Sequence, residues 1–178
     1  FNIIISKMCG IVGCLGLDSY QDNLIHGLKL LQNRGYDSAG IATIHENKIH
    51  IIKYASTVDN DSICLVEQDV YESNMSFHVC IGHTRWATHG SKTNINAHPH
   101  QDMKQRIAIV HNGIIDNYEE LKNELLKEGI VFRSQTDTEV IANLIGKYLD
   151  KDQEIDEAIT NAISRLSGTW ALVILHKD

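Results

Sequence analysis

The stretch Met8-Cys9-Gly10-Ile11-Val12-Gly13 decides the fold. Its cysteine, isoleucine and valine side chains, continued to Leu15, suit a short strand, so residues 9–15 are predicted to be β. A thiol attacks as thiolate, but free cysteine has a pKa of about 8.5, so Cys9 needs a base close by. If Met8 is removed, Cys9 supplies that base itself, because its freed α-amine has a pKa of roughly 7.7–8.0. The stretch therefore predicts a strand that begins with a nucleophile carrying its own base.

Composition and charge exclude several classes of protein. The chain has 178 residues, 43% hydrophobic and 22% charged, which is typical of a globular protein with one well-buried domain. The formal net charge is -7 and no run of lysine and arginine occurs, so nucleic acid is not an expected partner. No apolar stretch approaches the roughly 20 residues that span a bilayer. We therefore expect no membrane partner and a cytoplasmic location.

Cysteine and proline usage bear on the compartment and the domain count. The cysteines are too few and too scattered for a disulfide-stapled fold, so reduced thiols are expected. One proline, Pro99, and no linker or repeat divide the chain. We predict one domain at residues 9–178, with residues 1–8 an upstream or removable segment. Because the last predicted strand ends three residues before the end of the sequence, this domain is expected to be incomplete at its C terminus.

Hydrophobic periodicity gives the order of elements outward from the first strand. Residues 40–45 and 49–54 are predicted to form a hairpin. A less regular polar stretch is expected after it, up to about residue 76. Strands cluster early and late with helices between them, which favours an α+β fold with two sheets covered by helices over a simple alternating β-α-β sheet. The predicted strands are residues 9–15, 40–45, 49–54, 78–84, 106–111 and 168–175, and the predicted helices are residues 19–32, 117–127, 138–150 and 155–166.

Five segments, in this order, resemble the glutaminase domain of the glucosamine-6-phosphate synthases, also called glutamine:fructose-6-phosphate amidotransferases. The second and third segments distinguish this family from the amidophosphoribosyltransferases, which share the N-terminal cysteine. The resemblance implies an N-terminal nucleophile hydrolase fold, an αββα sandwich with two antiparallel sheets between helix layers, and no cofactor. The segments are Met8-Cys9-Gly10-Ile11-Val12-Gly13, Arg34-Gly35-Tyr36-Asp37-Ser38-Ala39-Gly40, His83-Thr84-Arg85-Trp86-Ala87-Thr88-His89-Gly90, Val110-His111-Asn112-Gly113-Ile114-Ile115 and Thr136-Asp137-Thr138-Glu139.

The same resemblance implies a reaction and its main residues. L-glutamine would be hydrolysed to glutamate and ammonia through a Cys9 thioester. The Asn112 side-chain amide and the Gly113 backbone N–H are the implied donors to the oxyanion. Free glutamine carries an α-carboxylate and an α-ammonium, and Arg85 and Asp137 are implied to bind these two charges. Ammonia would pass to sugar-phosphate isomerase domains that make glucosamine 6-phosphate from fructose 6-phosphate, in a full-length homo-oligomer.

Further site residues are also implied by the resemblance. Trp86, Thr88 and His89 are expected in a loop that closes over glutamine, with Trp86 gating an ammonia channel. Thr88 and His89 would help to hold the closed form of this loop. Arg34 would support the surroundings of the nucleophile, and His98 is a secondary site residue.

Several of these residues have plain structural interpretations as well. Cys9 could be a small buried strand residue, and Asn112-Gly113 could be a turn that ends a strand. Thr136 and Glu139 also form a capping-box pattern, which is compatible with a pocket role for Asp137 at a helix start. The sequence His98-Pro99-His100 could present two imidazoles to a metal ion, but no cysteine pair or H-E-x-x-H spacing supports that, so no metal is expected.

Two other functions remain open from the sequence. One is the glutaminase domain of another cysteine-first amidotransferase, such as one feeding purine or asparagine synthesis. The other is a catalytically silent regulatory module with a blocked N terminus. A peptide-bonded Cys9 nitrogen cannot act as a base, so residues 1–8 must be absent for the predicted chemistry.

Overall fold

The computed structural model describes residues 9–86 and 91–178, and for Arg34 it describes the backbone alone. These residues form strands, helices and two short 3₁₀ turns. In chain order the elements are β1 (Gly10–Leu15), α1 (Gln21–Leu31), β2 (Ser38–His45), β3 (Lys48–Ala55), α2 (Ser62–Glu72), β4 (Val79–Arg85), β5 (His100–Gln101), β6 (Ile107–Ile115), α3 (Tyr118–Lys127), α4 (Asp137–Leu149), α5 (Ile155–Ile163) and β7 (Gly168–His176).

The strands pair into two antiparallel sheets. The first sheet has the order β1-β4-β2-β3, and the second has the order β5-β6-β7. Antiparallel pairing of β1 with β4 sets Gly10 opposite Thr84, so the start of β1 lies beside the end of β4. On the other side of β4, Ser38 lies opposite Arg85. This register brings Cys9, which directly precedes β1, next to the residues that follow β4.

Three apolar cores separate four layers. Helices α1 and α2 cover the outer face of the first sheet, and α3, α4 and α5 cover the outer face of the second. A third cluster of small and β-branched side chains fills the space between the two sheets. The predicted αββα sandwich is therefore confirmed. Representative core residues are Leu24, Leu28, Ile63 and Val66 under the first sheet, Ala42, Ile81, Ala108, Val110 and Leu175 between the sheets, and Ile107, Ile109, Leu121, Ile141 and Leu144 over the second sheet.

Helix α2 corrects the prediction of a less regular polar stretch up to about residue 76. The Asp61 side chain accepts hydrogen bonds from the N–H groups of Ile63 at 2.8 Å and Cys64 at 3.3 Å, so it caps the helix start. Ile63, Val66 and Val70 are buried at helical spacing. The apolar stripe was present in the sequence, but three polar residues in the middle of the segment obscured it.

The helices in the described parts of the chain are all too short or too polar to cross a bilayer. All four cysteines lie in those parts and are free thiols.

Candidate active site

The Cys9 thiol is held by the backbone of Trp86. The Trp86 N–H donates to Cys9 Sγ at 3.1 Å, and the thiol lies 3.6 Å from the Trp86 carbonyl oxygen. Burial raises the pKa of the Cys9 thiol above its ordinary value, while the Trp86 N–H and the charge of Arg85 act in the opposite direction. The thiol is therefore protonated at neutral pH, and its activation requires a base.

The Asn112 side chain reaches Cys9 from the second sheet. Its Nδ2 donates to the carbonyl oxygen of Cys9 at 2.8 Å, across a separation of 103 residues in sequence. Asn112 and Gly113 lie inside strand β6, with Gly113 opposite Trp170 of β7, so the interpretation of Asn112-Gly113 as a turn is wrong. The site thus lies where the start of β1 and the far part of β6 meet.

Gly113 occupies a backbone conformation that requires glycine. Its φ is 135°, and a Cβ atom there would approach the Thr169 carbonyl oxygen to 2.0 Å. Any side chain would therefore force β7 away from β6 immediately beside Asn112. The backbone N–H of Gly113 consequently has a fixed place next to the Asn112 amide.

Arg85 and Asp137 are two opposite charges that interact with each other, and Arg85 also interacts with Cys9. Arg85 ends β4 and its residue surface is 5% exposed. Burial lowers the pKa of the Arg85 guanidinium, and the neighbouring acidic groups of Cys9, Asp37 and Asp137 oppose that change. Asp137 is the first residue of α4, and its Oδ2 accepts the Ile115 N–H at 3.0 Å. This bond ties the start of α4 to the end of β6, and Asp137 lines a small cleft together with Ile114, Tyr118 and Gln135.

Four buried histidines lie behind these residues. They form the histidine cluster, and the rings of His83 and His98 are 4.1 Å apart between centroids. The Thr138 hydroxyl lies 2.8 Å from His98 Nε2 and 2.9 Å from His111 Nδ1, within hydrogen-bond distance of both rings. Within residues 9–86 and 91–178, no group of three histidine, cysteine or acidic side chains is arranged to hold a metal ion. The members of the cluster are His83, His98, His100 and His111.

Thr136 and Glu139 do not form the capping box that their spacing predicts. The Thr136 hydroxyl makes no cap to α4 and lies 3.1 Å from His100 Nε2. Glu139 instead accepts the N–H groups of Arg133 at 2.8 Å and Ser134 at 2.6 Å. The capping prediction is wrong because these two side chains are used by the histidine cluster and by the preceding turn.

The histidine cluster makes stability sensitive to mild acid. Burial lowers the pKa of all four rings, and that of His83 to about 4. Below pH about 6.5 the unfolded chain binds protons that the folded chain excludes, so each ring removes up to about 1.4 kcal/mol of stability per pH unit. For His83 this loss continues down to pH about 4. We expect a steep fall in Tm between pH 7.5 and 5.0.

Thermal unfolding at a series of pH values measures this loss. His100→Gln should flatten the slope of unfolding free energy by up to about 1.4 kcal/mol per pH unit, because one neutral buried ring is removed. His26→Gln is the control, since it removes an exposed ring in place of a buried one. A Tm that stays level from pH 7.5 to 5.0 would contradict the assignment of neutral rings.

The structure brings together six of the residues expected at the site. His98 lies behind them, against His83 and Thr138. Thr88, His89 and the Arg34 side chain lie outside the described residues. The residues brought together are Cys9, Arg85, Trp86, Asn112, Gly113 and Asp137.

Several neighbours of the site were not assigned a role from the sequence. The Thr84 hydroxyl accepts the Gly10 N–H at 3.2 Å and lies 3.3 Å from the Leu31 carbonyl oxygen, which fixes the start of β1. The Tyr36 ring packs edge-on against Trp86 at 5.0 Å between centroids. Buried Asp37 pairs with Lys92 and donates its N–H to the Arg85 carbonyl at 3.0 Å. The quoted segments include Tyr36, Asp37 and Thr84. The sequence therefore indicated that these residues lie near the site, but it did not predict their contacts.

Comparison with known proteins identifies the class to which this fold and site belong. A family model described as a glutamine amidotransferase domain matches residues 83–178, more than half of the chain. The chain belongs to this family, which confirms the resemblance drawn from the five segments.

The chain is also similar to individual members of this family. The chain is 50% identical over 171 residues to the glutamine–fructose-6-phosphate aminotransferase (isomerizing) of Pyrococcus horikoshii, a match covering 96% of the chain and 28% of that relative. It is 46% identical to the enzyme of that name from Thermococcus kodakarensis, with the same coverage. The glutamine phosphoribosylpyrophosphate amidotransferase from B. subtilis has a similar solved structure, with a TM-score of 0.78, 30% identity, and coverage of 95% of this chain and 35% of that one. The chain therefore spans under a third of the length of the two aminotransferases.

Proposed function

We propose that this chain hydrolyses L-glutamine to glutamate and ammonia, with Cys9 as the nucleophile. The observation that carries the proposal is the contact between Asn112 Nδ2 and the Cys9 carbonyl at 2.8 Å. This contact places an amide donor beside the thiol, where an oxyanion would develop during attack on an amide. Membership of the glutamine amidotransferase family supports the same reaction.

The reaction follows from groups already in place, once the Cys9 amine is free. The thiol proton moves to the α-amine, and Sγ attacks the side-chain carbonyl carbon of glutamine. Asn112 Nδ2–H and the Gly113 N–H stabilise the oxyanion. The C–N bond then breaks as the amine returns the proton to the leaving ammonia. Water, deprotonated by the same amine, cleaves the thioester to give glutamate and restores the thiol.

Substrate choice is assigned to Arg85 and Asp137. The guanidinium of Arg85 suits the α-carboxylate of glutamine, and the Asp137 carboxylate suits its α-ammonium. Asp137 lies in the first turn of α4, where a helix N-terminus favours negative charge. A substrate lacking either α-group would lose one of these two charge contacts.

Replacing Asp137 should weaken glutamine binding more than catalysis. Asp137→Asn keeps an oxygen for the Ile115 N–H but removes the charge. A hydrogen bond to a charged group contributes about 1.5–3 kcal/mol, so KM for glutamine should rise roughly 10- to 100-fold while kcat changes little. Asp156→Asn, in the first turn of α5, is the matched control and should change neither constant. Steady-state kinetics decide, and an unchanged KM in Asp137→Asn would remove Asp137 from the substrate site.

The acceptor of the ammonia is proposed from the relatives. We infer that residues 9–178 are the glutaminase domain of a larger cytosolic homo-oligomer whose sugar-phosphate domains convert fructose 6-phosphate to glucosamine 6-phosphate. The names and the 50% and 46% identities of the archaeal relatives support this acceptor over phosphoribosylpyrophosphate, whose amidotransferase is 30% identical. The described chain alone would release glutamate and ammonia.

The full-length protein tests both parts of the proposal. It should form glutamate from glutamine, and glucosamine 6-phosphate when fructose 6-phosphate is added. Formation of phosphoribosylamine from phosphoribosylpyrophosphate would reassign the acceptor but keep the glutaminase. Absence of glutamate with a free Cys9 amine would instead favour a catalytically silent regulatory module.

A further inference from the structure

His83 lies directly behind the Asn112 amide. It is in β4, two residues before Arg85, and is 1% exposed. Its Nε2 lies 2.9 Å from Asn112 Oδ1 and 3.2 Å from the His111 carbonyl oxygen. A single ring nitrogen therefore faces two oxygen atoms across the junction between the two sheets.

These contacts determine the tautomer of His83. The His111 carbonyl oxygen accepts hydrogen bonds only, so the nitrogen facing it must carry the hydrogen. The neutral ring is then the Nε2–H form, and its N–H is shared between the carbonyl oxygen and Asn112 Oδ1. The side-chain oxygen of Asn112 is thereby assigned to the His83 side of the amide.

The opposite side of the same amide confirms this orientation. The Cys9 carbonyl oxygen also accepts only, so the amide group facing it at 2.8 Å must be Nδ2. Rotating the amide by 180° would set Oδ1 against the Cys9 carbonyl oxygen and an NH₂ group against the His83 N–H. Two hydrogen bonds would be replaced by two repulsive contacts.

We propose that His83 is a positioning residue that holds the Asn112 amide with its NH₂ group towards the nucleophile. This rests on the proposed glutaminase function and adds to it a residue outside the direct contacts of the substrate. Asn112 Nδ2 has two hydrogens: one binds the Cys9 carbonyl, which leaves the other for the oxyanion. Without the His83 N–H, the amide would rotate and present its oxygen to the oxyanion for part of the time.

The surroundings of His83 keep this N–H in place over a wide pH range. Burial lowers the pKa of His83 to about 4; the hydrogen bonds to Asn112 and the His111 carbonyl oppose this change, and the His111 ring and the charge of Arg85 add to it. The His98 ring, 4.1 Å away, also restricts rotation of His83. The orientation of Asn112 is therefore set by a neutral donor, and its effect should not titrate between pH 6 and pH 9.

A set of three variants of the full-length protein tests the proposal. His83→Leu removes the donor and should lower kcat for glutamine hydrolysis by roughly 10- to 100-fold, with KM changed less than about threefold, because the loss falls on oxyanion stabilisation. His83→Gln places an amide N–H near the position of Nε2 and should recover most of that loss. His83→Asn is equally polar but too short to reach Asn112 Oδ1, so it should behave like His83→Leu.

A double-mutant cycle separates positioning from general damage to the fold. Asn112→Ala alone should lower kcat by about 10²–10³, and adding His83→Leu to it should cost almost nothing more, since no amide remains to be oriented. His100→Leu is the matched control, because His100 is also buried in the cluster but bonds Thr136. It should reduce Tm by a comparable amount and change kcat less than about threefold.

The outcomes are distinguishable. Equal kcat values for the wild type and His83→Leu, or additive losses in the double mutant, would overturn the positioning role while leaving the glutaminase intact. Equal losses in His83→Gln and His83→Asn would do the same. A wild type with a free Cys9 amine and no glutaminase activity would overturn the proposed function itself, and the role of His83 with it.

Discussion

Cys9→Ala in the full-length protein is expected to reduce glutamine hydrolysis by at least about 10⁴-fold, because loss of a covalent nucleophile removes the main reaction path. Alanine lacks only the sulfur atom that accepts the Trp86 N–H at 3.1 Å. Because the change is this small, the surrounding backbone should stay in place. Glutamine binding should persist, since Arg85 and Asp137 are untouched. Steady-state glutamate formation measures the loss, and isothermal titration calorimetry measures the binding.

A matched cysteine controls for nonspecific effects of thiol removal. Cys64 is an exposed free thiol on α2, away from the site. Cys64→Ser should retain wild-type kcat within about threefold. Activity of Cys9→Ala within about tenfold of wild type would show that another group is the nucleophile.

The second large effect is expected from the residues that precede Cys9. Burial raises the pKa of the Cys9 thiol, so the thiol needs a base, and among the groups described here the α-amine of the same residue is the proposed one. A protein that retains residues 1–8 has an amide nitrogen there, which cannot accept a proton. Its kcat should be lower than that of a protein beginning at Cys9 by roughly 10²–10⁴, the usual contribution of a general acid-base.

Two proteins that differ only at the N terminus measure this effect. One begins at Cys9 after removal of Met8, and the other carries residues 1–8 made resistant to processing. The N terminus of each is mapped by mass spectrometry before kinetics, so that unnoticed processing is detected. Equal turnover by the two proteins would show that the α-amine is not the base.

Local patterns in the sequence predicted most elements of the fold. Alternating or helical apolar residues located β2, β3, α1, α4 and α5 to within a few residues of their observed bounds. Helix α2 was missed because Glu67, Gln68 and Asp69 interrupt its buried stripe, and β5 was missed because a two-residue strand has no pattern. Local sequence patterns could not predict the order of strands in the sheets, because β1 pairs with β4 across more than sixty residues.

Sequence motifs predicted which residues belong to the candidate site, but they did not predict the contacts between those residues. Cys9, Arg85 and Asn112 stood out because their segments resemble a family, while nothing in the sequence linked Asn112 to His83. That contact depends on two strands from different sheets meeting at their ends. For Thr136 the sequence predicted a contact that does not form. Its spacing to Glu139 predicted a helix cap, but the Thr136 hydroxyl contacts His100 instead.

Covalent labelling shows whether Cys9 is the nucleophile of a glutamine-specific site. Intact mass is measured before and after incubation with 6-diazo-5-oxo-norleucine, an electrophile that resembles glutamine, and the N terminus and any adduct are then mapped. We expect a chain that begins at Cys9 and carries one adduct on that residue, with protection by excess glutamine. An adduct on Cys14, Cys64 or Cys80, or no adduct on a chain with a free Cys9 amine, would contradict it.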